Sequence, residues 1–420
     1  MPKTIISKWK DQGIFFTLQA LAVLGTIALG KVIAMYFDPT EYGKYFIASS
    51  AVGLYLIVSA GPIIQAYRHF HYREKKKELL VFYRSVLFWL SIIVFLVLTI
   101  ISLLGFLPFM AAMLAAGQVL FHKNAAIHQA NINIQGRTTI QAILQVLVPI
   151  FNLALVLLIL FSARHADYLV LWAALVCTEL SIMVISYTVF TQNRVITILR
   201  PKFLLASEHL KGLIRFVKPL LLLPVFAWLV NNADRYLLGI FHSQHEVGLY
   251  SAAYSVGGKL FILLSGGIVA FYNAPVYRQA MDKSQYKELY ADGLKRILAY
   301  VVFGGGLVVL IYFLSDFIGM LLLSDQYAPA FALIPALALA NLILSAAMLL
   351  EQGLYAIGKT RYILLHYIIG AIGNVVLNLF LIPLYGMWGA AISMILSTII
   401  QISVLFLFYR NALVIRTVNS

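Results

Sequence analysis

Asp234 and Arg235 stand side by side near the end of an apolar run, in Asn231-Asn232-Ala233-Asp234-Arg235-Tyr236-Leu237-Leu238-Gly239-Ile240-Phe241. Further ionisable side chains interrupt comparable runs at Lys31, Lys123, Glu179, Lys218, Lys259 and Glu351. Within a bilayer such charges are costly, face a protein interior or a watery cavity, and mark functional candidates. The bases Lys259, Arg235, Lys31, Lys123 and Lys218 would hold an anionic group, and their excess over the acids favours an anion over a cation. The acids Asp234, Glu179 and Glu351 would take a coupling proton or sodium ion, whose inward movement gains about 2.3 kcal/mol per 100 mV.

Each residue also has a plainer reading. Lys31, Lys218 and Glu351 lie near helix ends, where long side chains snorkel to the interface. Asp234 and Arg235 would neutralise one another as a structural ion pair, and Glu179 would partner a polar or basic side chain in its own half. Lys123, between His122 and Asn124, is open between a cavity and the cytoplasmic edge. Lys259 and Glu179 fall near the bilayer midplane. Lys259 follows Gly257-Gly258, where small residues permit close helix approach, and is the leading cavity charge.

Composition sets the solvent in which these charges sit. Of 420 residues, 62% are hydrophobic and 11% charged, and the mean hydropathy is +0.91. That is too little polar surface for a soluble protein of this size, and it predicts an all-α polytopic membrane protein. Twelve helices are expected at about 14–37, 44–67, 81–106, 108–131, 139–162, 167–190, 213–241, 247–275, 295–320, 328–356, 361–382 and 387–409. The start, with Lys3, Lys8 and Lys10, resembles a secretory signal, but its apolar run is long enough to read as an uncleaved first helix. Cys177 is the only cysteine, which excludes an intramolecular disulfide and a cysteine-based metal cluster.

Charge in the loops fixes the expected orientation. Basic residues gather in alternate loops, leaving Lys44 and Arg164 alone on the other side. By the positive-inside rule both termini are cytoplasmic. The net charge of +15 then reflects topology and attraction to anionic membrane lipids. The run Arg73-Glu74-Lys75-Lys76-Lys77 lies between two spans, so no nucleic-acid partner is expected.

The chain also repeats itself. Glu41-Tyr42-Gly43-Lys44-Tyr45 and Glu246-Val247-Gly248-Leu249-Tyr250 share Glu-x-Gly-x-Tyr about 205 residues apart, each after an apolar run. Shifted by a similar amount, each helix of the first half lands on one of the second. Two six-helix lobes follow, 1–206 and 207–420, with 192–212 as linker. An even helix number gives both lobes one orientation, related by an axis along the membrane normal and facing across a cleft.

Other motifs carry less. Gly353-Leu354-Tyr355-Ala356-Ile357-Gly358-Lys359-Thr360 matches the phosphate-binding G-x-x-x-x-G-K-T pattern, but that mechanism needs a strand and exposed loop amides. Here the residues finish a spanning helix, so Gly358-Lys359-Thr360-Arg361 reads as a tight cytoplasmic turn. His242 with His245, and His122 with His128, lack the further ligands of a metal site. No catalytic residue, metal or cofactor is expected, and the predicted outer loops are too short for a catalytic domain.

Asp234-Arg235-Tyr236-Leu237-Leu238-Gly239 with Glu246-Val247-Gly248-Leu249-Tyr250, Asp38-Pro39-Thr40-Glu41-Tyr42-Gly43-Lys44-Tyr45, Gly358-Lys359-Thr360-Arg361 and the stretch from Asn374 to Ala391 resemble the polysaccharide-transporter, or Wzx-type flippase, family. The resemblance covers nearly the whole chain and specifies no substrate. It implies two multidrug-exporter-like lobes in a bacterial inner membrane and transfer of an undecaprenyl-diphosphate-linked oligosaccharide, such as an O-antigen unit, to the outer leaflet. Glycan polymerase and chain-length proteins would be partners. The implied cleft is lined mainly by the first two helices of each lobe, which carry Lys31, Arg235 and Lys259 but not Glu179. Two alternatives are a cation-coupled drug antiporter of the same fold and a multi-pass glycan polymerase or acyltransferase.

Overall fold

The computed structural model describes residues 5–74, 78–105, 107–135, 137–162, 167–188 and 208–415. The side chains of some residues inside these segments, Lys259 among them, lie outside the description, as do Lys75 to Lys77 and most of the expected linker, including the expected lobe boundary at 206/207. Among the described residues the chain is helical, with no strand. It is an all-α polytopic membrane protein, and each of the twelve expected segments coincides with helix. Eight helical stretches among the described residues are long and apolar enough to cross a bilayer. Large apolar side chains such as Leu103, Phe161, Phe313 and Phe380 are exposed, as a lipid-facing surface requires.

The helices are α1 (Ile5–Tyr36), α2 (Pro39–Glu74), α3 (Glu78–Leu103), α4 (Phe109–Ile134), α5 (Thr138–Ser162), α6 (Tyr168–Thr188) and α7 (Glu208–Val217). After them come α8 (Leu222–Phe241), α9 (Gln244–Ala280), α10 (Tyr286–Phe313), α11 (Ser315–Leu322), α12 (Ile334–Ala356) and α13 (Thr360–Arg410).

Three boundaries differ from expectation for identifiable reasons. The helix expected over 213–241 is divided: α7 ends at Val217, a 3-10 turn covers Lys218–Leu220, and α8 begins at Leu222. Pro219 has no amide hydrogen and disfavours helical backbone in the residue before it. Lys218 is therefore an exposed side chain on a turn, not a charge carried within a long helix. The segment expected over 295–320 breaks at Leu314 between α10 and α11. The two helices expected at 361–382 and 387–409 run together as α13, kinked at Gly386, whose φ of 54° and ψ of −132° leave the helical region.

Two compact units are defined by internal contacts: Met1–Phe37 with Ala48–Pro224, and Asp38–Ile47 with Val225–Ser420. In the first, α1 packs on α5, α5 and α4 pack on α6, and α3 packs on α4. One apolar cluster in it joins Ala60, Ile63, Tyr67, Phe82, Tyr83 and Ile127. In the second, α12 is the buried axis, packed by α9, α10 and α13. Its sequence is largely apolar and rich in small residues, as a mostly buried helix must be. Gly257 lets α9 approach the start of α12 directly: a Cβ there would lie 2.6 Å from the Ile334 carbonyl oxygen.

The segment Asp38–Ile47 belongs with the second unit although its chain neighbours on both sides belong with the first. It is the first turns of α2, begun by Asp38, whose Oδ1 accepts from the Thr40 amide at 2.6 Å. Partial burial raises the pKa of this carboxyl, but bonds from Thr40 and the Glu41 amide outweigh that and hold it below the usual carboxylate range.

Candidate functional site

The two copies of the sequence repeat meet within the second unit. A Cβ on Gly43 would overlap the carbonyl oxygen of Gln244 and stand 2.9 Å from the Gly248 amide nitrogen. Reciprocally, a Cβ on Gly248 would overlap the carbonyl oxygen of Pro39. Pro39 and Gln244 hold equivalent places in the repeat, so the contact has local two-fold character. The glycines are there because backbone touches backbone. Tyr236 fixes the far end of the segment, its hydroxyl donating to the Ile47 carbonyl at 3.0 Å.

Other positions of the repeat have diverged. Glu41 pairs with exposed Lys44 at 2.6 Å. Glu246 instead accepts the Met387 amide at 3.2 Å and so caps the chain just after the Gly386 kink. Ser243 caps α9, accepting the Glu246 amide at 3.2 Å. His242, 3.5 Å from Glu246, donates through Nε2 to the Ile382 carbonyl at 2.7 Å. The break in α13 is thereby tied to the loop between α8 and α9.

Beneath the crossing lie Asp234 and Arg235, both fully buried. Asp234 is held firmly: Tyr250 donates to Oδ2 at 2.6 Å and the Arg235 amide to Oδ1 at 2.9 Å. The ion pair itself is looser, with Arg235 Nη1 at 3.3 Å from Asp234 Oδ1, and the same nitrogen donates to the Asn231 carbonyl. Arg235 Nε and Nη2 complete no hydrogen bond, although the Tyr254 hydroxyl stands close. Aromatic rings surround the guanidinium: its Cζ is 4.2 Å from the Tyr254 centroid, 4.5 Å from Phe46 and 5.3 Å from Tyr250. Cation–π attraction stabilises the charge there but supplies no hydrogen-bond acceptor.

The remaining candidates do not converge on this cluster. In the first unit, Lys123 is fully buried and its Nζ donates to the Tyr55 hydroxyl at 3.0 Å. Its side chain is thus held inside that unit. Glu179 lies 3.0 Å from His122 Nδ1, joining α6 to α4. Lys31 is partly buried on α1. In the second unit, Glu351 on α12 lies 3.2 Å from His366 on α13, and both are buried. Among the described residues no three His, Cys, Asp or Glu side chains gather as metal ligands.

The phosphate-loop look-alike is a helix end. The Gly358 amide donates to Tyr355 and the Lys359 amide to Leu354, with Gly358 at φ 72°, the arrangement that closes a helix on a left-handed glycine.

Phe46, Tyr250, Tyr254, Tyr55 and His366 were not singled out from sequence as site residues. Tyr250 closes the repeat and so carried a signal. The others meet their charges only through tertiary packing.

The sequence matches the model of a family described as polysaccharide biosynthesis protein over residues 32–332. No curated protein matches it by sequence. Among solved structures, lipid II flippase MurJ in an inward closed conformation is similar with a TM-score of 0.74 at 15% identity, over 95% of this chain and 87% of that one. An inward-facing MATE-family multidrug resistance transporter gives 0.66 at 14% identity, over 94% of each chain. A MOP-superfamily transporter from Pyrococcus furiosus gives 0.62 at 15% identity, over 95% of this chain and 93% of that one. At these identities the likeness concerns the fold. With a family match across most of its length, this chain belongs to the polysaccharide biosynthesis protein family.

Proposed function

We propose that this protein is a flippase, not an enzyme, and that it moves an undecaprenyl-diphosphate-linked oligosaccharide across the bacterial inner membrane by alternating access. The observation that carries the reading is the family match to polysaccharide biosynthesis proteins on a fold similar to a lipid II flippase. A repeat unit of O-antigen or another surface polysaccharide is the proposed cargo, in lobes 1–206 and 207–420 with both termini cytoplasmic. Glycan polymerase and chain-length proteins would act on what it delivers.

The physics of the cargo supports this. Each glycan hydroxyl costs several kcal/mol to bury unpaired, and a diphosphate costs far more. The head group needs a hydrated, electropositive route while the prenyl tail stays in lipid. Arg235 and Lys259, on α8 and α9, are the proposed contacts along that route, with Lys31, Lys123 and Lys218 as lesser ones. Lys123, already bonded to Tyr55, and exposed Lys218 rank last.

For coupling, Asp234 is the weakest of the three carboxylates, because both of its oxygens are already engaged by Tyr250 and the Arg235 amide. Glu179 and Glu351 each lie beside a histidine and are the better proton carriers. A second reading, cation-coupled drug export, is favoured by the similarity to MATE transporters.

The test is transport by purified protein in vesicles. Movement of a labelled lipid-linked oligosaccharide, with no effect on efflux of cationic dyes, supports the flippase. Dye efflux without lipid movement supports the second reading, and glycan joined or cleaved without lipid movement would make it an enzyme.

A further inference from the structure

Helix α8 has the length of a span, yet among the described residues it is not one of the stretches apolar enough to cross a bilayer. The reason is its middle, where Asn231 and Asn232 precede the buried Asp234 and Arg235. Asn232 stands about 15 Å along the helix from Leu222, half the thickness of a hydrocarbon core. Unlike the ion pair, it is only half-buried. A partly exposed amide at that depth is costly against lipid and calls for water or a polar ligand.

The two asparagines differ in what they leave open. Asn231 uses both ends of its amide: Nδ2 donates to the Ala227 carbonyl at 2.7 Å, and Oδ1 accepts from the Tyr254 hydroxyl at 3.3 Å. Asn232 uses one end. Its Nδ2 donates to the Trp228 carbonyl at 3.0 Å, while Oδ1 accepts nothing among the described residues. A second amide hydrogen and the lone pairs of Oδ1 remain for a ligand.

An aromatic pair frames that amide. Trp228, Asn232 and Tyr236 recur every fourth residue and so share one helix face. The Trp228 and Tyr236 rings lean together across two turns until their centroids are 5.3 Å apart, at 56°. Tyr236 is fixed by the bond from its hydroxyl to the Ile47 carbonyl. Both aromatic side chains are half-buried, so part of their apolar surface stays accessible. Apolar ring surface beside an open amide is a pairing that suits a sugar. A pyranose offers C–H groups on its face, which pack on an aromatic ring, and hydroxyls round its edge, which an amide can both donate to and accept from. A diphosphate would require cations and a cationic drug would require acids, and this face carries neither.

We propose that Trp228, Asn232 and Tyr236 form a sugar-binding stripe that recognises an uncharged ring of the cargo glycan. The inference deepens the flippase reading and rests on it. Asn232 takes ring hydroxyls through Oδ1 and its remaining amide hydrogen, and the aromatic pair packs on the C–H face. These bonds replace some of those to water that a hydroxyl-bearing group gives up at the middle of the membrane.

The experiment measures binding to the full-length protein in nanodiscs of two probes, undecaprenyl diphosphate and undecaprenyl diphosphate bearing one N-acetylglucosamine. Wild-type protein is expected to bind the glycosylated lipid at least tenfold more tightly than the bare one. Trp228→Leu and Asn232→Leu should each abolish that preference. Trp228→Phe, which keeps an aromatic face, should retain most of it. A preference that survives in both leucine variants overturns the stripe, as does weaker binding of the two lipids in equal proportion. Equal binding of both lipids by wild type also overturns the stripe and leaves the flippase reading standing. Wild-type protein that binds neither lipid overturns the flippase reading itself.

Discussion

Gly43 and Gly248 cross with their backbones in contact, each facing the carbonyl of the residue that begins the other's repeat. A methyl group at either position has no room. Gly43→Ala and Gly248→Ala are therefore expected to cost about 1–3 kcal/mol of stability, as overpacked sites do. Translocation should fall at least tenfold. Gly53, also on α2, has nothing within 4 Å of an added Cβ, so Gly53→Ala should transport normally. Thermal unfolding in detergent and vesicle transport read the two effects.

Asp234 and Arg235 should behave as a unit. Removing one charge leaves the other buried and uncompensated, at a cost of about 3–5 kcal/mol. Asp234→Asn and Arg235→Gln alone should each unfold the protein at markedly lower temperature. The double variant should recover most of that loss but not transport. A double variant less stable than either single one would contradict the pairing.

The kink at Gly386 occupies backbone space that side-chain-bearing residues rarely adopt, with the Glu246 carboxylate 2.7 Å from where a Cβ would go. Gly386→Ala should cost about 1–3 kcal/mol. Glu246→Gln keeps the size of the cap and weakens its bond to the Met387 amide, so its effect should be smaller. Comparing the unfolding midpoints of the two variants checks the order.

Glu351 and His366 link α12 to α13 across 3.2 Å. If this pair carries the coupling proton, an outside-acid pH gradient accelerates wild-type transport. Glu351→Gln should then remove most of the acceleration while keeping gradient-free exchange. His366→Gln should weaken it less, since the carboxylate is still present. Vesicle transport with and without an imposed gradient separates these outcomes, and acceleration that survives in Glu351→Gln would reassign the proton to Glu179.

Much of the fold was legible because the bilayer demands continuous apolar runs, and those runs were visible. The repeat at Glu41 and Glu246 contains the two glycines of the crossing, and the kink of α13 at Gly386 falls between the helices expected at 361–382 and 387–409. The turn at Lys218 follows from Pro219, which interrupts the helix expected over 213–241. The partners of the charges were not legible. Phe46 reaches Arg235, and Tyr55 reaches Lys123, only through packing of segments distant in sequence, which no local periodicity encodes. Gly257 and Gly258 did signal close approach of α9, and α12 provides it.

The central claim is that basic groups within the membrane carry the diphosphate-linked glycan. Its most direct test is transfer of a labelled undecaprenyl-diphosphate oligosaccharide in vesicles containing wild-type, Lys259→Ala or Arg235→Ala protein at equal insertion. The account predicts rapid transfer by wild type and at least a tenfold loss in each variant. Wild-type rates in both variants would contradict it.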